Sequence, residues 1–302
     1  MSRVHEALRR AEQRGGPAAG AAEAAAAAAA APVVPGSLAA LLADLPERPY
    51  APAQEALLID DSRPQDPPGE EFRSLRTRLN HLQKLQPIRS VVVTSPSPAE
   101  GKSFTAANLA LVESQLSGHA LLADFDLRRP IIHHMFQVER APGLTDYLLG
   151  QVPLSGALRR IQGKNLCVMT AGTVVRNPLE LMNQPEVKTL IAEVSKLFTW
   201  VVLDSPPLLL SADANLLGTL TDGTILVVRM GSTTIDMVTR AMQSLCENNV
   251  LGVVVNAARA RELYSKYTYY YSRYKYGYRS PEETEAPAAP EPAAPEPPGP
   301  ES

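Results

Sequence analysis

A short turn between an apolar run and a helical pattern carries the residue types that bind phosphate. Residues 91–94 are Val-Val-Val-Thr, a Ser- and Pro-rich turn follows, and Gly101-Lys102-Ser103 begins a stretch with helical spacing of apolar residues. Backbone N–H groups at a helix start attract phosphate, the lysine adds positive charge, and the serine hydroxyl can ligate Mg²⁺. The usual pattern has glycine where this chain has Pro96. The sequence therefore indicates a variant nucleotide-binding loop.

Two more apolar runs end in carboxylates. Asp124 and Asp126 follow residues 120–123, and Asp204 follows residues 200–203. The carboxyl ends of parallel strands share one edge of a sheet, so these three groups are expected beside the phosphate loop. One aspartate at a strand end commonly caps a helix, but three together require a cation because isolated buried carboxylates are costly. Mg²⁺ bridging ATP phosphates fits oxygen ligands of this kind.

Alternating strand and helix patterns position these residues. Short, nearly continuous apolar runs are typical of parallel strands that are covered on both faces. The predicted strands beyond the loop are 119–123, 165–170, 200–204, 224–229 and 250–256, with helical stretches such as 184–198 and 233–248 between them. The pattern predicts an α/β fold with a doubly wound, mostly parallel sheet whose ligands bind at the carboxyl ends of the strands.

Composition divides the 302 residues into a central domain and unusual ends. Residues 17–35 are mostly alanine, and residues 281–302 contain eight prolines and six glutamates, so neither can bury enough apolar surface to fold. The predicted units are a short amphipathic helix at 1–15, an Ala/Pro-rich linker at 16–68, a folded domain at 69–258, a tyrosine-rich tail at 259–280 and a disordered Pro/Glu tail at 281–302. The first helix is either a frayed solvated helix or a docking helix for a partner.

Global charge and cysteine usage are unspecific. The net charge of −3 provides no basic excess that would point to nucleic acid. Cys167 and Cys246 lie in apolar segments, which favours buried free thiols of a cytosolic protein over a disulfide. Apart from alanine-dominated low complexity, no apolar run reaches membrane-spanning length. A cytoplasmic location is expected, with any membrane role supplied by a partner.

Eight of the ten tyrosines crowd into fifteen residues. They are Tyr264, Tyr267, Tyr269, Tyr270, Tyr271, Tyr274, Tyr276 and Tyr278. Basic residues interleave with them, so two other interpretations are a low-complexity segment that associates non-specifically and a nucleic-acid-binding segment. A tethered substrate explains more, because the preceding strand is expected to end on the nucleotide edge and Tyr278 can lie up to about 75 Å from Asn256 along the chain.

A charged stripe lies on the first helix of the folded domain. Glu70, Arg73 and Arg76 recur every three residues beside an apolar stripe. Spacing alone favours an ordinary solvated face with pairs inside the helix.

Together these motifs resemble the bacterial tyrosine kinases (BY-kinases) of capsule and exopolysaccharide systems. The similarity spans about Glu70 to Tyr278 and rests on residues 94–103, 122–128, 201–207 and the tyrosine cluster; residues 171–181 also look like a segment of that family. The resemblance implies a P-loop NTPase-like fold related to the MinD/ParA type. It also implies an ATP- and Mg²⁺-dependent kinase that phosphorylates its own tyrosine cluster.

The resemblance assigns roles to individual positions. Lys102 binds the β- and γ-phosphates, Ser103, Asp126 and Asp204 hold Mg²⁺ directly or through water, and Asp124 serves as base or orienting group for the tyrosine hydroxyl. The candidate nucleotide-binding residues are Ser95, Pro98, Ala99, Glu100, Gly101, Lys102, Ser103 and Phe104. Family members often have Gly at position 99 and Thr at position 104, which puts the loop's detailed geometry in question because alanine enters positive φ less easily.

The resemblance also implies partners. Glu70, Arg73 and Arg76 resemble the family's subunit-contact motif, which favours a ring in which one subunit's tail enters the next subunit's site. A separate membrane polysaccharide co-polymerase as activator and a cognate tyrosine phosphatase are expected, with recruitment to the inner face of the plasma membrane. Nucleic acid is not an expected partner.

Two alternatives stay open from the sequence. A MinD/ParA-type ATPase switch shares the fold and carboxylates, but it usually carries an additional lysine early in the loop and needs no tyrosine tail. A nucleic-acid-binding scaffold would instead use the basic aromatic tail.

Overall fold

Eight strands form one sheet in the computed structural model, which describes residues 37–62, 68–245 and 249–258. The strands are β1 (Glu47–Arg48), β2 (Ser90–Thr94), β3 (Ala120–Asp124), β4 (Leu158–Ile161), β5 (Leu166–Met169), β6 (Trp200–Asp204), β7 (Gly223–Arg229) and β8 (Val250–Asn256). Their order is β1-β4-β5-β3-β6-β2-β7-β8. Strands β4 and β5 run antiparallel, whereas the other neighbouring pairs run parallel. The carboxyl ends of β2, β3 and β6 therefore meet at one edge.

Helices cover both faces of this sheet. The described helices are α1 (Leu38–Ala43), α2 (Gly69–Leu85), α3 (Lys102–Ser114), α4 (Ile132–Phe136), α5 (Leu144–Leu148), α6 (Leu154–Ala157), α7 (Pro178–Met182), α8 (Pro185–Leu197), α9 (Asp213–Leu220) and α10 (Ile235–Ser244). Alternate residues of the central strands enter two separate cores, one shared with α2 and α3 and the other with α8. Every residue of β2, β3 and β6 is buried, which explains their continuous apolar runs.

The predicted fold class is confirmed. The strands expected at 119–123, 165–170, 200–204, 224–229 and 250–256 form within one or two residues of their predicted bounds, and so does the helix at 184–198. The helix predicted at 233–248 is described over Ile235–Ser244. Strands β1 and β4 were not predicted, because their sequences, Glu-Arg and Leu-Arg-Arg-Ile, contain charged residues and form no continuous apolar run.

The linker prediction needs correction where the structure describes that range. Residues 46–62, called the N-terminal arm here, pack against the domain. Within it β1 pairs with β4, a 3₁₀ turn forms at Gln54–Ala56, and the Ala53 N–H donates to the Met135 carbonyl at 3.1 Å. The Ile59 N–H donates to Asn108 Oδ1 at 2.9 Å. Since these contacts are made with residues distant in sequence, composition alone could not indicate them.

The charged stripe of α2 is used in two ways. Arg73 Nη1 pairs with Glu70 Oε1 at 2.8 Å within the helix, as its spacing indicated. Arg76 instead donates from Nη1 to the Val112 carbonyl at 2.7 Å and so joins α2 to α3. Contact of the three residues with another subunit stays a prediction.

Several sequence predictions lie partly or wholly outside the described residues. These are the first helix, the alanine-rich part of the linker, Cys246, the tyrosine cluster and the Pro/Glu tail. Cys167 is a buried free thiol as predicted, and burial raises its pKa to about 12. None of the helices in the described ranges is both long and apolar enough to cross a bilayer.

A buried carboxyl group lies between α2 and α3. Glu113 on α3 is 2% exposed and accepts a hydrogen bond from Asn80 Nδ2 at 3.0 Å through Oε2. Its Oε1 is buried and has no hydrogen-bond partner among the described residues. Burial raises the pKa of Glu113 to about 7, against the opposing effects of Asn80 and Arg76. Ionisation of Glu113 therefore disfavours the folded state.

The stability of the domain should depend on the charge of Glu113. An acid with a raised folded-state pKa favours folding below its ordinary value near 4.5 and loses that contribution as pH rises to about 7. We expect Glu113→Gln to flatten the pH dependence over this window and to raise the free energy of unfolding at pH 8 by up to about 3 kcal/mol. Urea unfolding at pH 5 and pH 8 measures this. Parallel pH curves for the two proteins would contradict it.

Candidate nucleotide and phosphoryl-transfer site

The turn between β2 and α3 is held from within and from neighbouring loops. Ser95 Oγ donates to the Ser97 carbonyl at 2.7 Å, and the Ser97 N–H donates to Glu100 Oε2 at 3.0 Å. Gly101 has φ +95°, and a Cβ there would lie 1.9 Å from Asn256 Nδ2. The positive φ favours glycine at position 101, and any larger residue would also have to displace the Asn256 side chain. The backbone then enters α3 at Lys102, as the phosphate-loop pattern predicts.

The ammonium of Lys102 lies between carboxylates from two strands. Its Nζ is 2.8 Å from Asp126 Oδ2 and 3.6 Å from Asp204 Oδ1, and it donates to Ser103 Oγ at 3.1 Å. The Lys102 side chain is 12% exposed. Burial opposes its charge, but Asp204, Asp126 and Asp124 outweigh burial and raise the pKa of Lys102. The lysine is therefore charged at neutral pH, and the structure brings together the charged residues that the sequence grouped.

The carboxyl group of Asp204 is the least satisfied group in this cluster. Both of its oxygens are fully buried and have no hydrogen-bond partner among the described residues. Burial raises the pKa of Asp204 to about 6, with Lys102 and the neighbouring Ser103 hydroxyl acting in the opposite direction. A buried carboxylate without donors is costly unless a cation approaches it. This observation suits a divalent cation beside Lys102.

Asp124 is occupied by backbone donors. Its Oδ1 accepts from the Asp126 N–H at 3.2 Å, and its Oδ2 accepts from the N–H groups of Ile131 and Ile132 at 3.1 Å each. It lies opposite Asp204 in the β3–β6 register. Burial and the neighbouring Asp204 raise its pKa well above the ordinary range. The side chain therefore caps α4 and fixes the backbone from 126 to 132, in line with the common role of a strand-end aspartate.

The donor set fits Mg²⁺ only in part. Among the described residues, no three or more His, Cys, Asp or Glu side chains are arranged to hold a metal ion. Mg²⁺ commonly keeps several waters and binds through one or two carboxylates plus substrate phosphates. Ser103 and the orphaned oxygens of Asp204 are suited to that role, and Asp126 would have to exchange its contact with Lys102 for one with the cation.

The remaining candidate nucleotide-binding residues differ in exposure and in their contacts. Pro98 and Ala99 are exposed, and Ala99 has a positive φ of 61°, the conformation that the sequence comparison had questioned. Phe104 packs edge-on against Phe72 of α2, with ring centroids 5.6 Å apart. Nucleotide contact through the Phe104 side chain stays a prediction.

Two residues of the loop surroundings were missed by sequence reasoning. Thr233 Oγ1 donates to Glu100 Oε1 at 2.6 Å and accepts from the Arg229 N–H at 2.8 Å. Asn256, at the end of β8, donates from Nδ2 to the Glu100 carbonyl at 3.0 Å. The last two strands therefore fix the phosphate loop from one side. No local signal marks either residue, because each is more than a hundred positions from Glu100 in sequence.

A third missed residue supports Arg128, which ends the Asp124–Arg128 motif. The Arg128 Nε lies 3.1 Å from Oδ2 of Asp213, whose side chain is 3% exposed. Asp213 begins α9, so its carboxylate also lies at a helix start, where negative charge is favoured.

Relief of the strained loop residue should be measurable. Ala99→Gly removes the cost of a left-handed alanine, about 1–2 kcal/mol. Part of this gain is offset, because glycine gives the unfolded chain more conformational entropy. We expect the free energy of unfolding to rise by about 0.5–1 kcal/mol. Ala192→Gly, the same change at an exposed position inside α8, should lower it by about 1 kcal/mol. Equal destabilisation by both changes in urea unfolding would exclude strain at Ala99.

Comparison with known proteins places this chain in a family. Tyrosine-protein kinase YwqD of Bacillus subtilis is 36% identical over 215 residues, which are 70% of this chain and 90% of YwqD. Putative tyrosine-protein kinase EpsB of Ralstonia solanacearum is 34% identical over 231 residues, 74% of this chain and 31% of EpsB. The chain thus spans most of YwqD and about a third of EpsB. No protein-family model matches the chain.

Solved structures agree with the relatives. The kinase domain of Escherichia coli tyrosine kinase ETK is 31% identical with a TM-score of 0.61, covering 66% of this chain and 80% of that one. The chimerical protein CapA2B2 is 28% identical with a TM-score of 0.64, covering 71% and 95%. Cobyrinic acid a,c-diamide synthase from Mycobacterium smegmatis, 17% identical with a TM-score of 0.51, covers 63% and 82% and shares the fold alone. On its sequence relatives and its structural neighbours, this chain belongs to the bacterial tyrosine-protein kinase family.

Proposed function

We propose that this chain uses ATP and Mg²⁺ to phosphorylate the tyrosine cluster at 264–278 on other copies of itself. The reaction would regulate exopolysaccharide or capsule synthesis or export. The observation that carries the proposal is the buried contact of Lys102 with Asp126 and Asp204 at the start of α3. Phosphoryl transfer requires mainly positioning and charge neutralisation, and this arrangement supplies both.

The charged and polar side chains of the site have different proposed roles. Lys102 places one positive charge where phosphate oxygens approach the helix start, and the first backbone N–H groups of α3 face the same space. Ser103, Asp126 and Asp204 would hold Mg²⁺. When bound, Mg²⁺ neutralises phosphate charge during transfer. Asp124 would orient the incoming tyrosine hydroxyl, and it also fixes the backbone that carries Asp126.

The transfer balances without a further reactant. The tyrosine oxygen forms a bond to the γ-phosphorus as the bond to the bridging oxygen of ADP breaks. The hydroxyl proton passes to an oxygen of the transferred phosphoryl group and then to solvent. No strong base is required, since the transition state is largely dissociative. This suits a site in which Asp124 is occupied by backbone donors.

An assembly of several copies would bring tails to sites. Glu70, Arg73 and Arg76 are proposed as subunit contacts in a ring. Glu70 is well placed for this role because its side chain remains 71% exposed while it pairs with Arg73. Arg76 would have to give up its bond to the Val112 carbonyl or contribute through its other nitrogens.

Partners follow from the relatives by analogy. The name of the neighbour CapA2B2 joins two components, and another relative is described as lying in the cps region of Klebsiella pneumoniae. We therefore propose a separate membrane co-polymerase as activator, a cognate tyrosine phosphatase, and a cytoplasmic kinase recruited to the inner face of the plasma membrane.

The assignment of Lys102 is tested by phosphotyrosine formation. Incubation of the full chain with Mg-ATP should label tyrosines, and Lys102→Met should reduce the rate at least about a hundredfold, because one preorganised charge at the transition state is lost. Lys196→Met is the matched control, since that lysine is 69% exposed on α8. Its rate should equal that of the unchanged protein.

Two outcomes would contradict the proposal. Equal labelling of Lys102→Met would show that the site is elsewhere. Release of inorganic phosphate without phosphotyrosine, lost in Lys102→Met, would instead favour an ATPase switch of the MinD/ParA type.

A further inference from the structure

A cavity of about 850 Å³ lies beside the phosphate loop. It is bounded by residues 53–57 of the N-terminal arm, by Ser103 and Phe104, and by residues 131–138 around α4. We call it the arm cleft. Its volume is within the range of small-molecule and side-chain binding sites. Ser103 and Phe104 of the phosphate-loop motif supply one wall, whereas the arm and residues 131–138 supply walls that no motif indicated.

The arm cleft adjoins the charged site through two connections. Ser103 lines the cleft and accepts a hydrogen bond from Lys102 Nζ at 3.1 Å. Asp124 accepts from the N–H groups of Ile131 and Ile132, so the loop that carries Asp126 continues into the far wall. Lys102 in turn contacts Asp126 and Asp204. Ser103 and the segment held by Asp124 therefore connect the cleft to the charged site.

The cleft offers both apolar surface and polar ring atoms. Leu57 is 66% exposed and Ile131 is 39% exposed, although both are large apolar residues at its edge. The imidazole rings of His133 and His134, whose centroids lie 4.1 Å apart, both line the cleft, and His134 is exposed. An aromatic ring that carries a hydroxyl matches this combination, because it needs apolar walls and one hydrogen-bonding site.

The conformation of Leu57 adds a second observation. Leu57 has φ +50° at the end of the 3₁₀ turn, a conformation that is unfavourable for leucine and easier for asparagine. A leucine that is both exposed and in an unfavourable backbone conformation gives the free chain no evident stability. Its apolar side chain would gain from a ligand that covers it.

We propose that the arm cleft binds the acceptor tyrosine of another copy, presented by residues 264–278. This rests on the proposed function and adds the residues that select the acceptor. The occupant follows from sequence and charge. The tail carries eight tyrosines and, over 259–279, six basic residues against one acidic residue, whereas the cleft edge carries the exposed Glu55. The arm, and not only the phosphate-loop motifs, would then decide which tyrosines are accepted.

The test uses full chains of two kinds. The kinase-deficient Lys102→Met chain, with a size tag, serves as acceptor, and the untagged chain serves as enzyme. We expect Leu57→Asn in the enzyme to raise the KM for this acceptor about tenfold through loss of apolar contact, with kcat changed less than about twofold. Val174→Asn makes the same change at a 72% exposed residue outside the cleft and should leave KM unaltered.

An effect of Leu57→Asn on acceptor binding can be distinguished from an effect on stability, because asparagine adopts the left-handed conformation at position 57 more easily than leucine does. Leu57→Asn should resist urea at least as well as the unchanged chain, so weaker acceptor binding could not come from unfolding. Ile131→Thr, which trims apolar surface at the opposite edge and keeps a β-branched side chain, should raise the same KM about threefold.

Each other outcome overturns the proposal in a recognisable way. Unchanged KM values for the acceptor in both cleft variants would exclude the cleft as the acceptor site and would leave the proposed kinase reaction standing. A raised KM for ATP with an unchanged KM for the acceptor would assign the cleft to the nucleotide. An unlabelled Lys102→Met acceptor with the unchanged enzyme would reject the reaction between copies, and this inference with it.

Discussion

The buried contact of one ammonium group with two carboxylates organises the edge of the sheet at which the proposed nucleotide site lies. Lys102 is supplied by α3, Asp126 follows β3 and Asp204 ends β6, so the contact requires three elements to meet within a few ångströms. The sheet achieves this through register. Val93 lies opposite Asp204 in the β2–β6 pair, and Asp124 lies opposite Asp204 in the β3–β6 pair. A shift by one residue would turn these carboxylates to the other face of the sheet.

The same contact explains why the site is ready for a phosphate and a cation. In the described protein the positive charge of Lys102 offsets carboxylates that burial would otherwise make costly. The offset is incomplete, since both oxygens of Asp204 lack hydrogen-bond donors. Arriving phosphates can draw Lys102 away, and a divalent cation can take its place beside the carboxylates. The lack of hydrogen-bond donors at Asp204 is therefore better understood as capacity to bind a cation than as a defect of packing.

Sequence reasoning reached the parts of this arrangement that are local. The phosphate loop, the strand-end aspartates and the strands that carry them all have patterns within a few residues, and the structure places them together. Thr233, Asn256 and Asp213 were not predicted because each acts on a residue far away in the chain. The backbone bonds of Asp124 could not be predicted either, since a carboxylate at a strand end looks the same in sequence whether it meets a cation or backbone N–H groups.

The N-terminal arm marks the other limit of sequence reasoning. Its composition resembles a linker, yet Leu58 and Ile59 are buried and its backbone bonds to α3 and to α4. These contacts join the segment before α2 to the edge of the proposed site. The arm therefore belongs to the folded domain in physical terms, and a domain boundary drawn from composition at residue 69 separates parts that pack together.

A crystal structure of the full chain with Mg²⁺ and a non-hydrolysable ATP analogue would test the central claim most directly. The claim predicts that Lys102 Nζ leaves Asp126 for phosphate oxygens, with a metal ion near Ser103 and the previously unpaired oxygens of Asp204. A structure in which Lys102 keeps its carboxylate contacts and the nucleotide binds away from Gly101 would contradict it.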